Sequence, residues 1–274
     1  MAVPNPWRVP LLAVAASWLL WGIVILAGPA LPHAAITVLL MAGIAIVGVV
    51  AVLVAYGGPD RSQPRAFWSA ITDVRRIPAP AWVAAILLMP ALAFAGAMVD
   101  TLRSGTPLQA GELLRSAVRP LVLLRMSGFA LLAGPFMEEI CWRGLALVPL
   151  QRRYGGLAGA TLLACVHALW HLPLFIAPDG YFHALGLLTP AFWRFMGDIL
   201  VFDLLAAALF GFARSSTLAA VVFHGTFNAA GGLWLLSPDA TAYRDTLAAL
   251  VLLAVLVGTR GQLFHGRKGS ASPP

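Results

Sequence analysis

Long apolar runs separated by short polar connections recur from one end of the chain to the other. They lie near residues 10–29, 34–56, 81–100, 117–136, 156–176, 193–213, 215–235 and 246–262. Each is long enough to cross a hydrocarbon core of about 30 Å as a helix. Lipid offers no hydrogen-bond partners to a backbone, so such runs close their bonds internally. The pattern therefore predicts an all-α, polytopic transmembrane helical bundle of about eight spans. The connection 57–79 is polar, and residues 64–77 predict a short helix lying in the interface. The opening MAVPNPWRVP leads into a run that continues with tryptophans to about Ala30, so it reads as a first span and not as a cleaved leader. The closing GRKGSASPP reads as a short disordered tail.

The fourth run does not end cleanly, because apolar character continues through EEICWRGLALVPL to Gln151. A helix-interior proline lacks the N–H and crowds the preceding turn, so Pro135 is expected to kink the span. The glutamates would then open a second helical segment with a polar amino end, closed by Pro149 and QRRYGG.

Charge sharpens the picture. Only 11% of the 274 residues are charged, and 17 of the 18 basic residues are arginine. A net charge of +7 would suggest nucleic acid in a soluble chain. Here the arginines sit beside spans, so topology determinants explain them better, and the lipid bilayer is the expected partner in place of any nucleic acid. With eight crossings, Arg8, the 57–79 connection, Arg152–Arg153, Arg214 and Arg260 through Lys268 fall on one side. Both termini are then expected in the cytoplasm of a multi-pass cell-membrane protein. Cys141 and Cys165 have no metal-ribbon or redox spacing and read as buried small residues. Nothing here sets an oligomeric state.

Against this background the run GPFMEEICWRGLAL stands out, since Glu138 and Glu139 are two of only three glutamates. At membrane depth each ionised carboxylate costs about 2.5–3.5 kcal/mol on insertion scales, so the pair should face a polar interior. Arg143 follows Glu139 by four positions, on the same helix face. His167 and His171 share a face at i and i+4, as do His224 and Asn228. A carboxylate and imidazoles can activate one water, and a His/Asn pair can donate to an oxyanion, which is the equipment of acyl-bond hydrolysis. No GxSxG is present, and Cys141 points away from the Glu139–Arg143 face, which favours activated water over a covalent nucleophile. Glu138, His171 and His224, with His167 behind them, would equally hold Zn²⁺. Both routes stay open on these residues.

Three ordered motifs carry a resemblance. EEICWR resembles the EExxxR, ALWHLPLF the FxxxH, and HGTFN the HxxxN of the CAAX-protease and bacteriocin-processing family of intramembrane proteases, which includes the type II CAAX prenyl endopeptidases. The resemblance implies that Glu138 with His171 activates the attacking water. It implies further that His224 and Asn228 stabilise the oxyanion, and that Glu139 and Arg143 support the site. The aromatic of FxxxH is here His167, expected to fill the aromatic's space, with an added ligand or hydrogen-bond donor as the alternative. An endopeptidase acting near the cytoplasmic face on a small peptide or membrane-protein substrate is the favoured reading. The Arg-heavy, Ala-rich composition resembles that of a bacterium of high GC content, so prenylation is not assumed. A non-catalytic membrane scaffold of the same family, or a proton-coupled transporter, are the alternatives.

The chain divides on this reading into amino-terminal spans with a basic loop (1–116), a catalytic core (117–235), and a last span with its tail (236–274). Asp198, Asp203 and Arg125 suggest internal ion pairing. Trp82 and Trp193 suggest interfacial anchors, and Trp18 with Trp21 a packing face. The arginine asymmetry predicts that a reporter fused to the carboxyl tail reads as cytoplasmic, and an external reading would refute the assigned orientation.

Overall fold

The computed structural model describes residues 5–58, 62–111, 115, 121, 128, 134–178 and 180–264. Among them the chain is helical, without a β-strand. The elements are α1 (Arg8–Ala27), α2 (His33–Gly57), α3 (Gln63–Thr72), α4 (Ala79–Ser104), α5 (Met137–Cys141), α6 (Leu147–Tyr154), α7 (Gly156–Trp170), α8 (Tyr181–Leu185), α9 (Pro190–Phe212), α10 (Thr217–Leu233) and α11 (Pro238–Thr259). Six of these reaches, α1, α2, α4, α9, α11 and α7 with the turn that follows it, are long and apolar enough to cross a membrane. The α10 helix, at 17 residues, occupies the predicted seventh span. Most of the predicted fourth span, with Arg125, lies outside the described residues.

Hydrophobic side chains are distributed as lipid demands. Leu19, Leu26, Val38, Leu53 and Val257 are all largely exposed. On a soluble protein such a girdle would be an association surface, whereas on apolar helices it matches hydrocarbon. Inside, one continuous core runs from Ala13 and Trp21 through Trp142 and Phe202 to Leu252 and Phe264. Small residues set the helix spacing. Trp21 is fully buried and its Nε1 donates to the Leu40 carbonyl at 3.1 Å. It sits where Gly43 leaves room, because a Cβ there would fall 2.0 Å from that nitrogen. Trp18 is partly exposed and donates to the Trp170 carbonyl at 3.1 Å, so both tryptophans join α1 to its neighbours.

Helix starts follow from local chemistry. The hydroxyls of Thr189, Ser216 and Ser237 accept from the backbone N–H three residues on, at 3.2, 3.3 and 2.9 Å. Pro190 and Pro238 occupy the first helical position, where no N–H is needed. Gly155, at φ 95°, separates α6 from α7. The interfacial helix expected over 64–77 is α3 with a following 3-10 turn at Val74–Arg76, burying Phe67 and Ile71. Cys141 is buried as expected, but Cys165 is exposed on the outer face of α7.

Two expectations about the glutamate segment change. Pro135 does not open a free helix end, since residues 134–136 form a wide π-type turn leading directly into α5. Pro149 does not itself stop the helix, since α6 runs through it, and the unit closes at Tyr154 within the QRRYGG run as expected. A second π-type stretch, Trp142–Ala146, lies just ahead of Pro149. A proline ring crowds the carbonyl four residues earlier, and widening the turn relieves that crowding without breaking the helix.

Close helix contact is most demanding at Gly96 of α4, where a Cβ would fall 2.6 Å from the Ala240 carbonyl and 2.8 Å from the Arg244 nitrogen of α11. Both obstacles are backbone, so side-chain rotation offers no relief. Gly96→Val should push α4 and α11 apart at a cost of about 1–3 kcal/mol. A lowered unfolding temperature in detergent is the expected result, and an unchanged one would show that the helices slide freely.

Candidate active site

A buried chain of polar groups crosses the bundle. Glu138 on α5 is 6% exposed and its Oε2 lies 2.9 Å from His167 Nε2. The other ring nitrogen, Nδ1, lies 3.0 Å from Asp203 Oδ2 on α9. Asp203 also accepts from Arg143 through Oδ1 and through its backbone carbonyl. Arg143 donates in turn to Glu139 Oε1 at 3.0 Å, and His224 Nδ1 on α10 reaches the same oxygen at 2.9 Å. The sequence Glu138, His167, Asp203, Arg143, Glu139, His224 thus ties α5, α7, α9 and α10 together. Three carboxylates face one guanidinium, and an unpaired charge at such depth costs several kcal/mol, so the imidazoles between them are electrostatic as well as geometric partners. Arg143 is further placed over the Phe202 ring at 5.6 Å.

Glu138, His167, His171, His224 and Asn228 line one cavity of about 1110 Å³. Glu139 and Arg143 lie behind it, completely or almost completely buried. Asn228 is exposed to the cavity one turn along α10 from His224. The residues read from sequence as a site are therefore brought together, in two layers: one facing the cavity, one supporting it.

His167 matches the alternative reading as a hydrogen-bonding residue. It does not simply replace an aromatic ring, since both nitrogens are engaged by carboxylates. Making both contacts takes one proton more than a neutral imidazole between two carboxylates provides. Asp203, read from sequence as half of a structural ion pair, is the partner that makes this possible. Its signal was present as a lone carboxylate in an apolar span, but no local spacing links residue 203 to 143 or 167. Asp198, the other aspartate for which ion pairing was expected, pairs with Arg244 at 2.9 Å further along the cavity.

The ligand atoms of Glu138, His167 and His171 lie within 4.8 Å of one another, a grouping with the donor set of a zinc site. His167 takes the place the sequence reading gave to His224, whose Nδ1 turns to Glu139. Orientation of the imidazoles supports the fit. His171 Nδ1–H donates to the His167 carbonyl at 3.0 Å, which leaves its Nε2 free of a proton in the neutral ring. Asp203 holds His167 Nδ1 in the same manner, the outer-partner arrangement typical of metal-ligating histidine. Rings of Trp142, Trp170 and Phe195 pack at 4.7–5.1 Å against the two imidazoles.

Residues 120–230 match the profile of a family described as type II CAAX prenyl endopeptidase Rce1-like. The chain is similar to a protein of Methanococcus maripaludis named CAAX prenyl protease 2, at 26% identity over 140 residues. That similarity covers 50% of this chain and 51% of the relative, so the two align over about half of each.

The support layer carries its own prediction. Arg143→Ala leaves Glu139 and Asp203 buried without their cation, at a cost of about 3–5 kcal/mol. The folded fraction recovered in detergent should fall sharply. Wild-type yield and thermal stability in this variant would show that the ion network is dispensable.

Proposed function

We propose that this chain, whose residues 120–230 match the Rce1-like profile of type II CAAX prenyl endopeptidases, is an intramembrane endopeptidase that hydrolyses a peptide bond with an activated water. The observation that carries this reading is the meeting of Glu138, His171, His224 and Asn228 on one cavity, above a buried Glu139–Arg143–Asp203 network.

In this mechanism Glu138 and His171 hold the water, and the Glu138 carboxylate accepts its proton as oxygen attacks the scissile carbonyl. The developing oxyanion is met by the Asn228 amide and by His224. Glu139 accepts from His224 Nδ1–H, so His224 meets the oxyanion as an imidazolium, with Nε2 also carrying a proton. Glu138 then returns the proton to the departing amine, so that the carboxylate is restored at the end of the cycle. His167 and Asp203 fix the carboxylate of Glu138 in place. Where a divalent cation is bound, Glu138, His167 and His171 are the residues that would hold it, and it would supply an acidified water and compensate buried negative charge. The substrate on this reading is a small peptide or a segment of a membrane protein. The relative's name adds a prenylated chain as one candidate, suited to a cavity walled by Phe182, Phe195 and Leu174.

Glu138→Gln keeps the shape and removes the base. Cleavage of a substrate peptide should be abolished with folding and insertion intact. Asn228→Ala should remain folded and cut about 100- to 1,000-fold more slowly, as loss of one oxyanion donor does. A fully active Glu138→Gln variant would end this mechanism.

A further inference from the structure

The two ends of the bundle are distinguished by their contacts. At the first, Trp7 Nε1 donates to the Tyr154 hydroxyl at 2.8 Å, and Ser216 Oγ reaches the Ala70 carbonyl at 3.5 Å. Gly211 lies directly against Leu263. This end therefore gathers the start of α1, the α3 region, the α6–α7 and α9–α10 turns, and the end of α11. At the second end Gly28 lies against Pro178. There Gly111 N–H donates to the Leu233 carbonyl at 2.8 Å and Leu235 N–H to that of Gln109 at 3.0 Å. Arg103 donates to the Tyr243 hydroxyl at 2.7 Å.

The cavity runs from Glu138 and His224 past Asn228 and Arg194 to Tyr181 and Leu235, which belong to the second end. Toward the first end it is closed. Glu139, Arg143 and Asp203 are packed there, and Phe67 of α3 comes within 3.3 Å of the place a Cβ would take at Gly144. The amphipathic helix thus covers the floor of the site. Among the described residues, arginine is concentrated at the opposite end: Arg8, Arg65, Arg75, Arg76, Arg152, Arg153, Arg214 and Arg260 belong to the closed end, against Arg103, Arg115 and Arg194 toward the open one. Arginine and lysine beside spans are retained on the cytoplasmic side.

We propose that the catalytic cavity opens to the extracytoplasmic side. Its substrate is then a peptide segment presented there, an exported peptide or the outer end of a membrane segment, and not a cytoplasmic carboxyl-terminal tail. Cleavage of that segment rests on the endopeptidase reading; the side of access does not. The direction is opposite to the cytoplasmic access expected from sequence alone.

The test is thiol labelling of the full chain in a Cys165→Ala background, with buried Cys141 left in place. Tyr181→Cys and Leu235→Cys report the open end, and Arg153→Cys reports the closed one. A membrane-impermeant maleimide should label the first two on intact bacterial cells at least 10-fold more than Arg153→Cys, with the ratio reversed on inverted vesicles. Labelling of Tyr181→Cys and Leu235→Cys only from the cytoplasmic side overturns the proposal. So does labelling of all three from one side. Labelling needs no catalysis: a chain that labels as expected yet cuts no peptide loses only the endopeptidase reading, and an active chain labelled from the cytoplasm loses only the side.

Discussion

The fold is organised around one electrostatic necessity, the burial of Glu138, Glu139 and Asp203 inside an apolar bundle. A carboxylate there is tolerable only when it is paired and hydrogen-bonded. Arg143 meets two of the three, and its planar guanidinium suits the task because separate nitrogens can serve separate oxygens. The imidazoles of His167 and His224 take the remaining positions. Once these pairs are required, the mutual rotation of α5, α7, α9 and α10 is largely determined, since each helix contributes a member. The apolar contacts, which in hydrocarbon confer little directional preference, then fill in around them.

This view explains how residues at the site divide between holding and acting. Glu139 and Glu138 are neighbours in sequence yet face different partners, one into the ion network and the other onto the cavity. Adjacent helical positions differ by about 100° in direction, so a doubled glutamate serves two layers from one turn. The wide turns at 134–136 and Trp142–Ala146 flank that turn and adjust the helix on either side of it. Wide turns of this type recur at functional sites because they re-aim side chains without ending the helix.

Much of this was legible in the sequence. Spans, the interfacial α3 and the Glu139–Arg143 pair followed from hydropathy and from i, i+4 spacing, both local properties of the chain. The meeting of His171, His224 and Asn228 with Glu138 was legible through ordered motifs. What could not be read was pairing between distant helices. Asp203 lies 60 residues from Arg143, and nothing periodic connects them. The same limit left two readings of His167 open, because the choice between them depends on a carboxylate from another helix. The continuity of the helix through Pro149 was hidden differently: proline's local preference argued for a stop, and a wide turn allowed the helix to continue.

His167 and Asp203 are best understood as a single feature. An imidazole in place of an aromatic ring, with no partner, would cost a desolvated polar group beside Trp142 and Trp170. An aspartate at 203 facing an aromatic ring would keep Arg143 but lose one of its acceptor contacts. Together each removes the other's penalty, and they carry the network from the support layer to the cavity face at Glu138. The departure from the aromatic motif therefore brings the ion network into direct contact with the carboxylate that would do the chemistry. In that arrangement, a change in charge at Arg143 or Asp203 would be felt at Glu138 through hydrogen bonds alone, without any movement of the helices that hold them.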